Sequence, residues 1–224
     1  MGLDMYLERM PRYKSLTANK IMAINGYFSW MDAKAEGSPY ADCTLKEWCG
    51  VSIDNISEDA IKFYEQYRSV KYAYWDDEHK CGHSQIYESI GYWRKANAIH
   101  RWFVDNVQNG DDDCGYYEVS KKQLESLLHI CKLIKDKCAL KRGKIKNGER
   151  YENGEWIPIY EDGEYIENPA VAEEYLPTTS GFFFGSTEYD EWYMQDIENT
   201  IDILTKTLEE TDFDTQMVVY SSSW

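Results

Sequence analysis

The chain has 224 residues, of which 43% are hydrophobic and 15% aromatic, so it can form one good core and is too apolar to be disordered. Its formal net charge is −16, and the C-terminal third carries it: residues 151–224 hold one Lys/Arg and 18 Asp/Glu, whereas residues 1–150 come to +1. So acidic a surface disfavours non-specific binding to nucleic acid or to anionic membrane. It fits a basic protein partner, a cation or plain solubility.

Six cysteines are spread along the chain without a CxxC pair, no secretory signal precedes them, and no apolar stretch reaches the length of a membrane span. These features predict a cytoplasmic protein with reduced thiols and no membrane partner. His79, Cys81 and His83 form the sequence's one metal-like cluster. A zinc site there needs a further ligand such as Cys114, so we expect neither a metal nor a cofactor.

The first third of the chain predicts a strand followed by helices. Residues 2–9 alternate apolar and polar side chains, as a half-buried strand does. Residues 17–31 suggest a helix interrupted at Gly26. Ser57 is placed to cap an amphipathic helix, and residues 70–84 read as an aromatic, polar loop or a short strand.

The most distinctive stretch runs from Gly91 to Phe103, where four aromatic rings, three fixed cations and one histidine occur without an acid. We predict that it lies in one helix, from about Ser89 to Asn109, that ends at Gly110. Helical spacing then gives one shared face to Trp93, Ala96, His100, Phe103 and Val107. Two interpretations are open. One is a core helix with internally satisfied polar groups, and the other is a ligand surface of stacking rings and phosphate-binding guanidinium groups.

The second half of the chain predicts a helix and then a β-hairpin arm. Ser120 and Gln123 have the spacing of a capping box, and apolar residues at helical spacing follow as far as Cys138. Between residues 141 and 168, three Asn-Gly or Asp-Gly pairs separate segments that carry Tyr and Ile. Such pairs favour tight hairpin turns.

A Gly-bounded aromatic loop at residues 177–187 leads through Asp190 into the last predicted helix. Its amides, its hydroxyls and the helix N-terminus are suited to cradle an anion, although the same loop can be a packed turn. Residues 216–220 are β-prone and are expected to pair with the N-terminal strand. Together the elements predict an α+β fold, mainly helical, as a single domain over residues 1–224 with a small antiparallel sheet joining the termini and an inserted hairpin arm at 141–168.

Several segments resemble a family of phage-encoded proteins that have no established activity. The resemblance rests on the opening MGLDMYL, on GYWRKANAIHRWF at 91–103, on DCG at 113–115, and on SGFFFGST at 180–187 with Tyr189, Asp190 and Trp192. It covers most of the chain, and residues 141–168 look like an insertion relative to it. The resemblance implies an anti-defence role in the host cytoplasm. Such a protein can be a sponge for a nucleotide signal, an enzyme that degrades one, or an acidic mimic of DNA.

We expect a sponge that binds a nucleotide-like small molecule and performs no catalysis. The predicted ligand-binding residues are Tyr92, Trp93, Arg94, Asn97, His100, Arg101, Phe183, Phe184, Gly185, Ser186, Thr187 and Tyr189. A degrading enzyme would instead use His100 as acid or base with a carboxylate such as Asp113 or Asp190. A DNA mimic or protein-interaction inhibitor would use the acidic segment 151–224, without direct contact to nucleic acid. Self-association into a homo-oligomer stays open.

Overall fold

A computed structural model describes residues 2–50, 53, 56–74, 80–181 and 183–224. The strands are β1 (Asp4–Pro11), β2 (Ser69–Tyr74), β3 (Lys80–Gln85), β4 (Glu88–Arg94), β5 (Tyr117–Val119), β6 (Leu140–Glu152), β7 (Glu155–Ile166) and β8 (Gln216–Ser223). The helices are α1 (Ala18–Ala35), α2 (Leu45–Cys49), α3 (Glu58–Glu65), α4 (Asn97–Asn106), α5 (Lys121–Lys137), α6 (Ala170–Tyr175) and α7 (Glu191–Glu210). A 3₁₀ turn covers Pro39–Ala41.

The fold is α+β, but the expectation of a mainly helical chain is wrong. Helix accounts for 41% and strand for 30% of the structure. The difference arises because Tyr-rich segments without clear periodicity pair as strands. Residues 69–74 and 80–85 pair as the antiparallel strands β2 and β3, and residues 88–94 form a strand of the central sheet.

The central sheet has four antiparallel strands in the order β4-β1-β8-β5. The two termini pair with each other, from Asp4 opposite Ser223 to Pro11 opposite Gln216, so the predicted pairing is confirmed. Apolar and polar side chains alternate along β1, so this inner strand of the sheet has one fully buried face. Leu3, Met5 and Leu7 are fully buried on that face.

Helices cover both faces of the sheet. On one face, α4, α5 and α7 contribute to the larger core, which Val218 and Tyr220 of β8 enter. On the other face, α1 and α3 form a second core that takes in Met217 and Val219 of the same strand. The alternation of β8 thus supplies both cores, and the sheet is the middle of three layers.

Local signals position several helices as predicted. The capping box of Ser120 and Gln123 begins α5, and Ser57 caps α3. The carboxylate of Asp190 caps α7 by accepting from two backbone N–H groups. The predicted interruption at Gly26 does not occur. α1 runs unbroken through this residue and packs against β3.

The stretch from Gly91 to Phe103 is not one helix, contrary to prediction. It continues β4 to Arg94, turns at Lys95, where φ is +62°, and enters α4 at Asn97. The alternate burial of residues 91–94 follows the period of a strand that pairs with β1. The helical face assigned to Trp93 and Ala96 therefore does not exist, although both side chains are buried.

The predicted arm is one long hairpin, β6–β7, with a single turn. Asn153 and Gly154 have φ of +53° and +91°, as a two-residue type I′ turn requires. The Asn147-Gly148 pair coincides with a register shift in β6, and Asp162-Gly163 lies within β7, so the other two predicted turns are wrong. The distal arm is exposed, whereas Ile145 and Ile166 are buried at its base.

Candidate functional site

The site is built around the corner where β4 passes into α4. Lys95 takes a left-handed conformation at this corner, and its N–H donates to the carbonyl of Leu3 at 2.8 Å. Gly185 of the aromatic loop packs directly on it. A Cβ at Gly185 would lie 3.1 Å from the Lys95 Cβ, and the φ of +94° there also favours glycine. The loop therefore lies against the corner.

Asn97 fastens the aromatic loop to the start of α4. Its side chain is buried, and its Nδ2 donates to the carbonyls of Phe184 at 3.2 Å and Ser186 at 2.8 Å. Its Oδ1 accepts from the N–H of Thr179 at 2.9 Å. The amide is thus committed to the loop, and Asn97 positions the site more than it reads a ligand.

A pocket of about 330 Å³ lies between this corner, the aromatic loop and the start of α7. Arg94, Lys95 and the first turn of α4 form one wall, which is cationic. α4 begins without a side-chain cap and without an acid in its first turn. The partial positive charge of its N-terminus therefore adds to that of the two side chains and favours an anion.

A second wall of the pocket is acidic and aromatic. Asp190, Trp192 and Asp196 line it, together with Glu188 and Gln195. Asp190 is 2% exposed, and its Oδ2 has no hydrogen-bond partner among the described residues, while its Oδ1 caps α7. The indole of Trp192 is 57% exposed and is available for stacking. Carboxyl groups and cationic side chains thus line the same small pocket.

Burial perturbs the two carboxyl groups of this wall. Desolvation raises the pKa of Asp190 above its usual value, even though hydrogen bonds from the backbone N–H groups of Tyr193, Trp192 and Asp190 itself oppose the shift. Desolvation, aided by the charge of Asp190, raises the pKa of Asp196 to about 7. Near neutral pH, Asp196 is therefore divided between its acid and its carboxylate form. It can accept a hydrogen bond in one form and donate one in the other.

Four of the residues predicted from sequence line this pocket: Arg94, Asn97, Gly185 and Ser186. Tyr92 lies on the exposed side of β4, where its hydroxyl donates to Asp4. Trp93 is 1% exposed and its Nε1 donates to Thr200 Oγ1 at 2.9 Å, which makes it a core residue. The neighbouring rings of Tyr92 and Trp93 thus lie on opposite faces of β4.

His100 is buried behind the site. Its Nδ1 lies 2.7 Å from the hydroxyl of Tyr220 and its Nε2 lies 3.0 Å from Asp112, while Phe184 meets the ring edge-to-face. Both ring nitrogens are therefore engaged within the fold. Arg101, one position further along α4, is exposed and pairs with Asp105 one turn away.

The rest of the aromatic loop forms a packed turn. The hydroxyl of Thr178 donates to the carbonyl of Thr187 at 2.9 Å, and its N–H donates to the hydroxyl of Tyr189. Phe183 is half-exposed with φ of +69°, and its carbonyl accepts from Leu3 at 3.4 Å. Phe182 lies outside the described residues. This loop contributes its Gly185-Ser186 end to the pocket.

Lys95, Trp192 and Asp196 are among the pocket residues that were not predicted from the sequence. Trp192 belongs to a motif that the sequence singled out, but nothing local marked its ring as exposed. Asp196 did carry a signal. It lies three residues after Tyr193 and four before Thr200, both buried, so a carboxylate sits on the inward side of an amphipathic helix.

The metal-like cluster does not assemble among the described residues, where no group of three or more potential ligands converges. Cys81 is buried in β3, and the ring of His83 bonds to Ser29 at 3.0 Å. His79 lies outside the described residues.

Among the residues that the structure describes, no helix combines the length and the apolar character of a membrane span.

Comparison with known proteins adds no relative to these observations. No protein-family model, curated protein or solved structure matches the chain. Inference about function therefore starts from the chemistry of the pocket.

Proposed function

We propose that this protein binds and sequesters a nucleotide-like small molecule in the pocket between the β4–α4 corner and α7. The observation that carries the proposal is the pairing of two complementary walls within one pocket. Arg94, Lys95 and the uncapped N-terminus of α4 suit a phosphate group. Trp192 suits a base as a stacking platform, and Asp190 and Asp196 suit its amino or ring N–H groups as acceptors.

The size of the pocket narrows the ligand class. Small-molecule sites commonly enclose about 300 to 1,000 Å³, and this one lies near the lower limit at about 330 Å³. One nucleotide unit matches that volume better than an entire dinucleotide. A larger signal would place one phosphorylated nucleoside in the pocket and extend past the exposed Trp192. The resemblance to phage proteins supports an anti-defence role for such sequestration in the host cytoplasm.

Calorimetric titration tests the proposal with AMP, GMP, ADP-ribose and cyclic dinucleotides. Wild-type protein is expected to bind at least one of them, and chromatography is expected to return that ligand intact. Arg94→Ala and Trp192→Ala should each weaken binding about ten- to hundredfold, because a charge-assisted contact or a stacked ring contributes roughly 1 to 3 kcal/mol. Arg101→Ala and Trp156→Ala are matched controls on exposed residues outside the pocket lining. If wild-type protein binds none of these compounds, the proposal fails.

A second candidate function is hydrolysis of the same ligand, and one observation favours it. A carboxyl group whose pKa is near 7 inside a pocket is what general acid–base catalysis needs, and Asp196 meets that description. His100 is a weaker candidate for this role because both its nitrogens have partners. Release of a cleaved ligand by wild-type protein, and of an intact one by Asp196→Asn, would replace sequestration by catalysis.

The acidic segment 151–224 remains a candidate surface for a basic protein partner or for mimicry of DNA. Mimicry needs carboxylates that are unpaired and regularly spaced. Several acids of the segment are instead paired within the fold: Glu167 with Lys141, Asp162 with Lys144 and Glu198 with Lys135. This pairing favours the pocket over the acidic surface as the functional site.

A further inference from the structure

A second pocket, of about 380 Å³, lies on the opposite face of the central sheet. Its floor is formed by Tyr6 and Glu8 of β1, which alternate with the buried Leu7 and therefore point away from the larger core. Across the strands, Ser89 is paired with Glu8 and Ser221 with Tyr6. The remaining lining residues are Gln85, Tyr87, Cys114, Tyr116, Ser222 and Ser223. The two pockets share no lining residue.

Glu8 is the unexplained group in this pocket. Its side chain is 7% exposed, and its Oε2 has no hydrogen-bond partner among the described residues. Burial raises the pKa of Glu8 to about 7. An isolated buried carboxyl group is costly, and such groups are retained where a partner satisfies them. None of the described lining residues is a Lys or Arg, so the part of the chain that the structure describes supplies no Lys or Arg side chain to this lining.

Three tyrosines, Tyr6, Tyr87 and Tyr116, line the pocket together with Glu8. Burial, followed by the charges of Glu8, Tyr116 and Tyr6, raises the pKa of Tyr87 to about 12. Aromatic faces attract cations, and the attraction grows when the cation is desolvated. Glu8 is the one carboxylate among the described lining residues, and no group of three or more His, Cys, Asp or Glu side chains converges in the described part of the chain, which disfavours a Ca²⁺ site.

We propose that this pocket binds an organic cation, an alkylated ammonium group whose charge meets Glu8 and whose carbon atoms contact the tyrosine rings. The carboxylate supplies the counter-charge, and the rings of Tyr6, Tyr87 and Tyr116 replace the water that the cation loses. The serine hydroxyl groups of β8 on the floor can accept from an ammonium N–H or from a hydroxyl group on the ligand. The cation is either a free metabolite or the side chain of a lysine in a protein.

Titration with choline tests the site, and its uncharged isostere 3,3-dimethylbutan-1-ol is the control. Choline is expected to bind at least tenfold more tightly than the alcohol, because the charge is the only large difference between the two. Glu8→Gln should reduce choline binding at least tenfold, while Glu125→Gln, an exposed acid on α5, should leave it unchanged. Tyr87→Leu should weaken binding about fivefold through loss of one ring face.

A measurement on wild-type protein tests the site even if a variant fails to fold. Nuclear Overhauser effects are expected between the choline methyl protons and tyrosine ring protons. A trimethyllysine peptide in the same titration separates the sources: tighter binding than choline indicates a protein side chain, and weaker binding a free cation. The proposal is overturned if choline and the alcohol bind equally, or if folded Glu8→Gln binds choline as wild type does. Nucleotide titrations report on the other pocket, so either proposal can fail alone.

Discussion

Replacing Trp93 by alanine separates a core role for this ring from the ligand-binding role that the sequence suggested. The ring is 1% exposed, its centroid lies 6.0 Å from that of Phe103, and its Nε1 donates to Thr200. Removal of a fully buried Trp typically costs about 3 to 5 kcal/mol. For a chain of this length each kcal/mol lowers the melting temperature by about 2 to 4 °C. We therefore expect Trp93→Ala to melt roughly 6 to 20 °C below wild type.

Trp192→Ala is the matched comparison. Its ring is 57% exposed at the pocket rim, so its loss should change the free energy of unfolding by only about 0.5 kcal/mol while it weakens ligand binding. Trp93→Phe adds a milder perturbation that keeps most of the packing, and it should cost about 1 to 2 kcal/mol for the lost hydrogen bond and volume.

Urea unfolding followed by far-UV circular dichroism measures all three free energies, because this signal comes mainly from the backbone, whereas indole fluorescence would be lost with the replaced ring. Ligand affinity is measured on each folded variant at a temperature well below its midpoint. The core role of Trp93 is refuted if Trp93→Ala keeps its free energy of unfolding within 1 kcal/mol of wild type and loses the ligand. The exposed role of Trp192 is refuted if Trp192→Ala is destabilised as much as we expect Trp93→Ala to be.

Three further perturbations test the fold and its electrostatics. Deletion of Gln216–Trp224 removes a buried strand between β1 and β5, so the cooperative thermal transition should disappear; an unchanged midpoint would show that the strand is peripheral. Replacement of 147–159 by a short Gly/Ser linker should leave the midpoint within about 2 °C, whereas replacement of 141–168 should destabilise the protein because it removes two buried isoleucines. Glu8 and Asp196 have folded-state pKa values raised to about 7, so each contributes stability that is present below its unfolded pKa near 4 and is lost as pH rises through 7. Each loss of stability is on the order of 3 kcal/mol. Glu8→Gln and Asp196→Asn should therefore each flatten the dependence of the free energy of unfolding on pH. Equal slopes in the variants and in wild type would contradict these raised pKa values.

Local chemistry made several elements predictable. The capping box at Ser120 and the carboxylate at Asp190 satisfy backbone N–H groups next to them in sequence, so their positions follow from the sequence alone. The alternation of apolar and polar side chains in β1 and the turn at Asn153-Gly154 were predictable for the same reason. A period of two and a left-handed turn are both properties of short segments.

The stretch from Gly91 to Phe103 could not be assigned in this way. Its composition suits either a helix or a strand, and pairing with β1 decided the outcome for the half before Lys95. Gly91 shows the influence of distant contacts, because a Cβ there would lie 2.6 Å from Ile203 Cγ2 of α7. Such close packing of a helix on a strand leaves no trace in the local pattern.

By itself, the sequence determined the apolar alternation, the caps, the turn of the arm and the presence of rings and cations near residue 95. Only the tertiary structure decided which of two tryptophans is buried and which is exposed, and that Asp196 and Arg94 line the same pocket. The physical reason is that caps and turns form between neighbours in the chain. Exposure and pKa instead depend on contacts between β4, the aromatic loop and α7, which are brought together by folding.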